Sequence, residues 1–211
     1  MIRLRNIRFR YNSAYVLDGV NFNLDRGDRI ALVGPNGSGK TTLCHIIMGL
    51  VLPESGEVEI FGKLRQKEAD FQEIRGRIGF LFQDADDQLF CPTVLEDVAF
   101  GPLNLGKSPE EARLIVSSTL KALKLEGFSE RITYQLSGGE KRLVSLATVL
   151  AMEPEVLILD EPTSGLDEAT TERLAEILNE SNLTYILISH DIDFVKKTTD
   201  GIVRMTDLIS A

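Results

Sequence analysis

Gly34-Pro35-Asn36-Gly37-Ser38-Gly39-Lys40-Thr41 constrains this chain more than any other segment, because it matches G-x-x-x-x-G-K-[ST] with both flanks correct. Before it lies a strand from Arg29 to Val33; after it Leu43, Ile46, Ile47 and Leu50 recur at helical spacing. A strand that turns through glycines straight into a helix aims backbone N–H groups and the positive end of the helix dipole at one point. Phosphate oxygens are the ligand such a point attracts. Lys40 adds charge toward the outer phosphates, the Thr41 hydroxyl is placed for Mg²⁺, and Thr42 completes the nucleotide-binding set. A glycine-rich turn that carries Lys-Thr by chance explains neither flank.

The rest of the chain reads as alternating strands and helices. Ile2 and Leu4 alternate with Arg3 and Arg5, then Ile7, Phe9 and Tyr11 with Arg8 and Arg10, a strand that slips register near Asn6. Val20, Phe22 and Leu24 alternate, and Asp25 to Asp28 turns into Arg29 to Val33, which predicts an antiparallel hairpin. A second strand pair is expected between Glu57 to Phe61 and Ile78 to Phe82. Residues of about 86 to 135 differ: Ser108-Pro109-Glu110-Glu111 starts a helix whose stripe is Ala112, Ile115, Val116, Leu120 and Leu123. A mostly apolar helix from about Lys141 to Met152 stops before Pro154. Strand Val156 to Leu159, helix Glu168 to Asn179, strand Thr184 to Ile188, a short helix and strand Gly201 to Met205 follow. Such alternation predicts a parallel sheet covered on both faces. The expected fold is α/β: a P-loop NTPase core with a parallel sheet, an N-terminal antiparallel β subdomain and an inserted α-helical subdomain, all in one domain spanning 1–211.

Asp160 follows the apolar run Val156-Leu157-Ile158-Leu159, so it stands at the end of a buried strand, where it can hold Mg²⁺ opposite the phosphate loop. Glu161 comes next and points elsewhere, which suits a general base on the attacking water. An acidic strand exit is the plain alternative. The longest mostly apolar run, Leu143 to Met152, is broken by Ser145 and Thr148 and falls short of the roughly 20 residues of a membrane span. Any membrane role is therefore expected to be peripheral. A net charge of -9 argues against a phosphate-backbone grip on nucleic acid. Cys44 and Cys91 offer neither a disulfide framework nor a metal spacing, as in a reduced cytosolic protein.

Leu136-Ser137-Gly138-Gly139-Glu140 opens the apolar helix. Ser137 with Glu140 is a plain capping box, yet capping needs no glycine pair. Taken with Gly34 to Thr41, Gln83, Val156 to Glu161, Ser164-Gly165-Leu166-Asp167 and His190, the order and spacing resemble the ATP-binding cassette (ABC) ATPases over essentially the whole chain. The resemblance implies a head-to-tail dimer with two ATP molecules sandwiched between one cassette's phosphate loop and the other's signature, so that Ser137, Gly138 and Gly139 serve the partner's γ-phosphate. It further implies Tyr11 stacking on adenine, Gln83 sensing Mg²⁺ and the attacking water, Asp167 crossing the dimer interface and His190 contacting the γ-phosphate. Tyr11 also reads as a core aromatic, and Asp167 as an N-cap. His45, inside the first helix, reads as structural.

Gln83-Asp84-Ala85-Asp86-Asp87-Gln88-Leu89-Phe90 and the segment Thr93 to Gly106 resemble the ATPase of energy-coupling factor (ECF) transporters. That implies an importer of a metal ion (nickel or cobalt) or a vitamin such as biotin, built with a transmembrane scaffold subunit and a substrate-capture membrane subunit. The protein would sit on the cytoplasmic face of the membrane as a homodimer or as a heterodimer with a second ABC ATPase. Asp86, Asp87, Leu89 and Phe90 are expected to dock the scaffold. The early chain end favours the nickel/cobalt or biotin branch. Asp84 and Ala85 in place of Asn and Pro, Leu143 in place of Arg and Glu168 in place of Pro depart from the group. The rival, a cassette ATPase of DNA repair or chromosome structure, calls for a long coiled coil and basic surface, and neither sustained heptads nor net positive charge is present.

Overall fold

The structure is a computed structural model that describes residues 1–209. In chain order the elements are β1 (Ile2–Arg10), β2 (Tyr15–Leu24), β3 (Arg29–Val33), α1 (Lys40–Ile47), β4 (Ser55–Ile60), β5 (Lys63–Leu64), α2 (Glu68–Gln72) and β6 (Ile78–Leu81). Helices α3 (Val94–Asn104), α4 (Pro109–Ala122) and α5 (Gly138–Leu150) come next. They lead to β7 (Val156–Asp160), α6 (Glu168–Glu180), β8 (Thr184–Ile188), α7 (Ile192–Thr198) and β9 (Gly201–Arg204).

Two sheets organise these strands: an antiparallel one in the order β2-β1-β4-β5 and a parallel one in the order β6-β7-β8-β3-β9. The antiparallel strands alternate buried and exposed residues, as one-sided sheets do. In the parallel sheet β7 and β8 are buried along their whole length. Successive residues there face opposite cores. Leu157, Leu159, Tyr185 and Leu187 join the core under α3, α4 and α5. Val156, Ile158, Ile186 and Ile188 join the core shared with α1 and the antiparallel sheet. Truncating any of these aliphatics to Ala would cost about 2–5 kcal/mol.

Two sequence expectations fail on partnership while holding on position. The turn Asp25–Asp28 forms, closed by Asp28 N–H donating to Asp25 O at 3.2 Å. Its flanking strands nevertheless part: Leu24 of β2 lies opposite Ile2 of β1, whereas β3 runs parallel between β8 and β9. Asp28 O accepts from Tyr185 N, and Gly27 N donates to Thr184 Oγ1 at 2.8 Å, so the turn is fastened to the other sheet. Composition explains the parting. The alternating β2 suits a half-exposed sheet, and the unbroken Ile30-Ala31-Leu32-Val33 suits one buried on both faces. For the same reason β4 pairs with β1 and β6 with β7, and the expected pair of these two does not exist. Leu50 lies beyond the end of α1 and is half exposed, so the apolar face of that helix ends with Ile47.

The register slip at Asn6 is present, with φ at 52° and shifts against both β2 and β4. Ser108 caps α4 through a capping box with Glu111, and Ala112, Val116, Leu120 and Leu123 of its stripe are buried. Cys44 and Cys91 are free thiols. Among the described residues no helix is long and apolar enough to cross a membrane.

Candidate functional site

The site is built where β3, β6, β7 and β8 end side by side and the chain turns away from each. From β3 it passes through the glycine loop into α1. Gly39 stands at the N-cap with φ at 91° and no side-chain cap, so the first N–H groups of α1 keep no partner from the cap residue. A Cβ there would come within 2.6 Å of Leu17 Cδ2 and 3.2 Å of Val16 O, so backbone conformation and packing both require glycine. Lys40 Nζ donates to Gly34 O at 2.7 Å and Pro35 O at 3.0 Å, which folds its stem back over the loop. Ser38 N donates to Pro35 O, and Ser38 Oγ is buried with no hydrogen-bond partner in the protein.

β7 delivers the carboxylates. Asp160 is buried at its last position and accepts from Thr41 Oγ1 at 3.0 Å. Burial raises its pKa, opposed by that hydrogen bond and by the charge of Arg142. Glu161 adopts φ of 49°, a strained value for a non-glycine residue, and its N–H donates to Ile188 O at 2.8 Å. The twist turns its side chain away from Asp160 toward His190. His190 N donates to Glu161 Oε2 at 3.3 Å, and His190 Nε2 lies 3.5 Å from Glu161 Oε1.

These groups share one cleft of about 730 Å³, a size common for small-molecule sites. Tyr11, Lys40, Thr41, Asp160, Glu161 and His190 line it, as do Asn36, Gly37, Gly39, Thr42 and Gln83, while Gly34, Pro35 and Ser38 form the loop behind. Tyr11 is 58% exposed and meets Phe9 edge to face at 4.9 Å, so its ring sits at the rim and not in the core. His45 lies outside this cleft, packed edge to face on Phe80 at 5.8 Å.

Ser137, Gly138 and Gly139 do not reach the cleft. Ser137 caps α5, accepting from Glu140 N while Glu140 Oε2 accepts from Ser137 N at 2.8 Å. A Cβ on Gly138 would meet nothing within 4 Å, and one on Gly139 only ordinary contacts. Asp167 is exposed and caps α6, accepting from Thr170 N at 2.7 Å. The acidic segment is more engaged than the sequence implies. Asp84 accepts from Asp86 N at 2.9 Å and Asp86 pairs with Lys141 at 2.5 Å, while Asp87 stays exposed. Leu89 is half-buried, packed against the core under α3 to α5. Phe90 is exposed, edge to face with Phe100 at 4.9 Å, and both line a shallow apolar groove with Leu50 and Met152.

Arg142 and Gln88 hold the site together, and neither stands out in the sequence. Arg142 is buried and donates to five main-chain carbonyls after β6 and β7. Gln88 accepts from Phe82 N and donates to Ser145 O and Thr148 Oγ1. A lone arginine within an apolar helix was the available signal for the first; the second left none.

A phosphate cradle at a helix N-terminus, a buried carboxylate hydrogen-bonded to the loop threonine and a second carboxylate beside a histidine define a nucleotide-hydrolysing phosphate-loop protein. The family profile described as ABC transporter matches residues 17–164. A Nitratidesulfovibrio vulgaris protein, provisionally named as an ABC transporter ATP-binding protein, is 54% identical over 98% of this chain and 77% of its own length. The energy-coupling factor transporter ATP-binding protein EcfA of Methanocaldococcus jannaschii is 42% identical over 98% of this chain and 76% of its own. A solved dimeric ATP-binding cassette in a post-hydrolysis state, bound to ADP and phosphate, is 32% identical at a TM-score of 0.89, covering 97% and 94% of the two chains. The chain belongs to the ABC transporter family, as an ATP-binding subunit and an ATPase.

Proposed function

We propose that this ATPase energises a membrane importer of the energy-coupling factor type, working as a sandwich dimer in which each cleft is completed by a second cassette's signature turn. The observation that carries the reading is an asymmetry. The cleft gathers the groups that hold one side of a nucleoside triphosphate, and the glycines of the signature turn lie outside it, with open space above Gly138 and only ordinary contacts at Gly139.

In this reading Tyr11 stacks on the adenine at the rim. The backbone N–H groups of the glycine loop from Asn36 to Gly39 and the charge of Lys40 hold the phosphates, with Thr42 beside them. Thr41, Asp160 and Gln83 offer hard oxygen donors of the kind a magnesium ion takes, and the Thr41–Asp160 hydrogen bond already brings two of them together. Bound there, the ion supplies positive charge to the phosphate oxygens. Glu161 takes the proton of the attacking water, and the oxygen of that water bonds to the γ-phosphorus as the bond to ADP breaks. His190 keeps the Glu161 carboxylate oriented and reaches the γ-phosphate. Ser137, Gly138 and Gly139 cradle the γ-phosphate of the partner cassette, and Asp167 crosses the interface.

The relatives named as energy-coupling factor transporter ATP-binding proteins support the transporter type; in this reading the partners are a membrane scaffold and a substrate-capture subunit, and the solute is nickel, cobalt or a vitamin such as biotin. Asp87, Phe90, Phe100 and Leu50 form the face for the scaffold on the cytoplasmic side. The helices between β6 and β7 are only 11, 14 and 13 residues long, which suits transport and not a coiled-coil chromosome ATPase. Glu161→Gln tests the central claims. It should bind ATP, lose at least about 10²-fold in turnover and run as an ATP-dependent dimer on size exclusion. Wild-type turnover together with a monomer would overturn both the base and the sandwich.

A further inference from the structure

Arg142 is 3% exposed on α5, with Leu143, Val144 and Leu146 around it. Its Nη1 donates to Phe82 O and, at 3.3 Å, to Gln83 O. Its Nη2 donates to Asp160 O and, at 2.7 Å, to Glu161 O, and its Nε donates to Pro162 O at 3.2 Å. Among the described residues no carboxylate pairs with it directly; carbonyl dipoles at the ends of two parallel strands hold the charge. Burial pulls its pKa down to about 10, opposed by the charges of Asp160, Glu161 and Asp84, so it stays cationic at neutral pH. A buried cation is costly, and an apolar residue of similar volume often serves stability as well or better. Packing alone gives no reason for arginine here.

The five carbonyls belong to the segments that carry Gln83, Asp160 and Glu161. The helix that carries Arg142 begins at Gly138, little more than one turn earlier. Gln88 adds a second stitch from Phe82 to Ser145 and Thr148, and Lys141 with Asp86 adds a third. We propose that Arg142 is a positioning residue that clamps the ends of β6 and β7 to α5, so that the groups acting on a chain's own ATP and the glycines acting on its partner's ATP move as one body. The coupling between sites rests on the sandwich reading above.

Arg142→Lys keeps a cation but replaces a five-donor fork with a single ammonium, which cannot span two strand ends. ATPase assays on the purified chain, and on the complex purified with it, should show kcat lowered between about 10- and 100-fold. KM and Mg-ATP affinity should stay within about twofold, and the Hill coefficient for ATP should fall toward about 1. Arg142→Met should lower kcat further; if it fails to fold, the lysine variant decides alone. Unchanged kcat and Hill coefficient in folded Arg142→Lys overturn the proposal. So does a loss of turnover matched by an equal loss of nucleotide binding, which marks general unfolding, or a wild-type Hill coefficient already at about 1. Glu161→Gln run beside it separates the two readings. If that variant forms no ATP-dependent dimer, the sandwich falls and the coupling with it; if it dimerises while Arg142→Lys turns over normally, Arg142 alone loses its role.

Discussion

Two helices of this protein begin in glycine-bearing turns, and the turns are satisfied in opposite ways. The loop into α1 has no side-chain cap, holds Gly39 in a conformation and a space that only glycine fits, and opens into the cleft. The turn into α5 is capped by Ser137, braced by Glu140 and Arg131, and carries two glycines that its own fold does not demand. The first turn is thus incomplete until something fills it. The second is complete within the chain, whose own packing does not require its glycines; in the proposed sandwich they let a second molecule approach the backbone.

The largest effect expected from that contrast is on nucleotide binding. Lys40→Ala removes the only side-chain cation of the glycine loop and should weaken Mg-ATP affinity by about 100-fold or more, since hydrogen bonds to charged groups contribute about 1.5–3 kcal/mol each. Ser137→Arg should leave that affinity within about threefold of wild type while abolishing sandwich formation, an affinity change under about 0.7 kcal/mol. A nucleotide titration in which the two variants lose affinity alike would erase the distinction between the turns. Stability comes next in size. Gly39→Ala should destabilise by about 1–2 kcal/mol from its left-handed backbone, with the Leu17 contact adding more. Gly138→Ala should be neutral or stabilising by up to about 1 kcal/mol, yet should lower turnover. Urea melts beside ATPase assays decide it: a Gly138→Ala protein that is destabilised and fully active would remove the case for a partner-facing turn.

The two turns also differ in how far the sequence discloses them. Gly34 to Thr41 is legible because phosphate chemistry is local: eight consecutive residues carry loop, charge and hydroxyl. β7 and β8 are legible because strands buried on both faces read as continuous apolar runs. Strand partnership is not local, and the turn at Asp25–Asp28 shows why: a good turn fixes a change of direction but not the sheet into which the next strand goes. Composition on either side of it, alternating before and continuous after, held the answer. The acidic segment misleads for another reason. Asp84 accepts from a nearby backbone N–H, and Asp86 pairs with Lys141, 55 positions away, which no local pattern discloses. Arg142 hides most completely, since the carbonyls it binds come from segments 60 residues upstream and 20 residues downstream of it in sequence.

The smallest effect concerns the brace of the second turn. Glu140 accepts from Ser137 N and makes two hydrogen bonds with Arg131, at 2.6 and 3.2 Å. The Arg131 hydrogen bonds, then the Ser137 backbone N–H, pull its pKa down from 4.5 to about 2. A carboxyl whose folded pKa is depressed stabilises the fold above its unfolded value and loses that contribution as pH falls through its folded value. Here the window runs from about 4.5 down to about 2. Glu140→Gln keeps an acceptor oxygen for the capping box and removes the charge. Both partners are partly exposed, with side chains 31% and 39% accessible, so solvent screens the pair and the loss at pH 7 should be about 0.5–1 kcal/mol. Urea melts of wild type and Glu140→Gln at pH 7, 5 and 3 should therefore differ about equally at the first two and by clearly less at the third, which lies inside the window. High salt should narrow the difference at pH 7. A gap that persists unchanged to pH 3 would mean that the amide fails as a cap and that charge contributes nothing to bracing this turn.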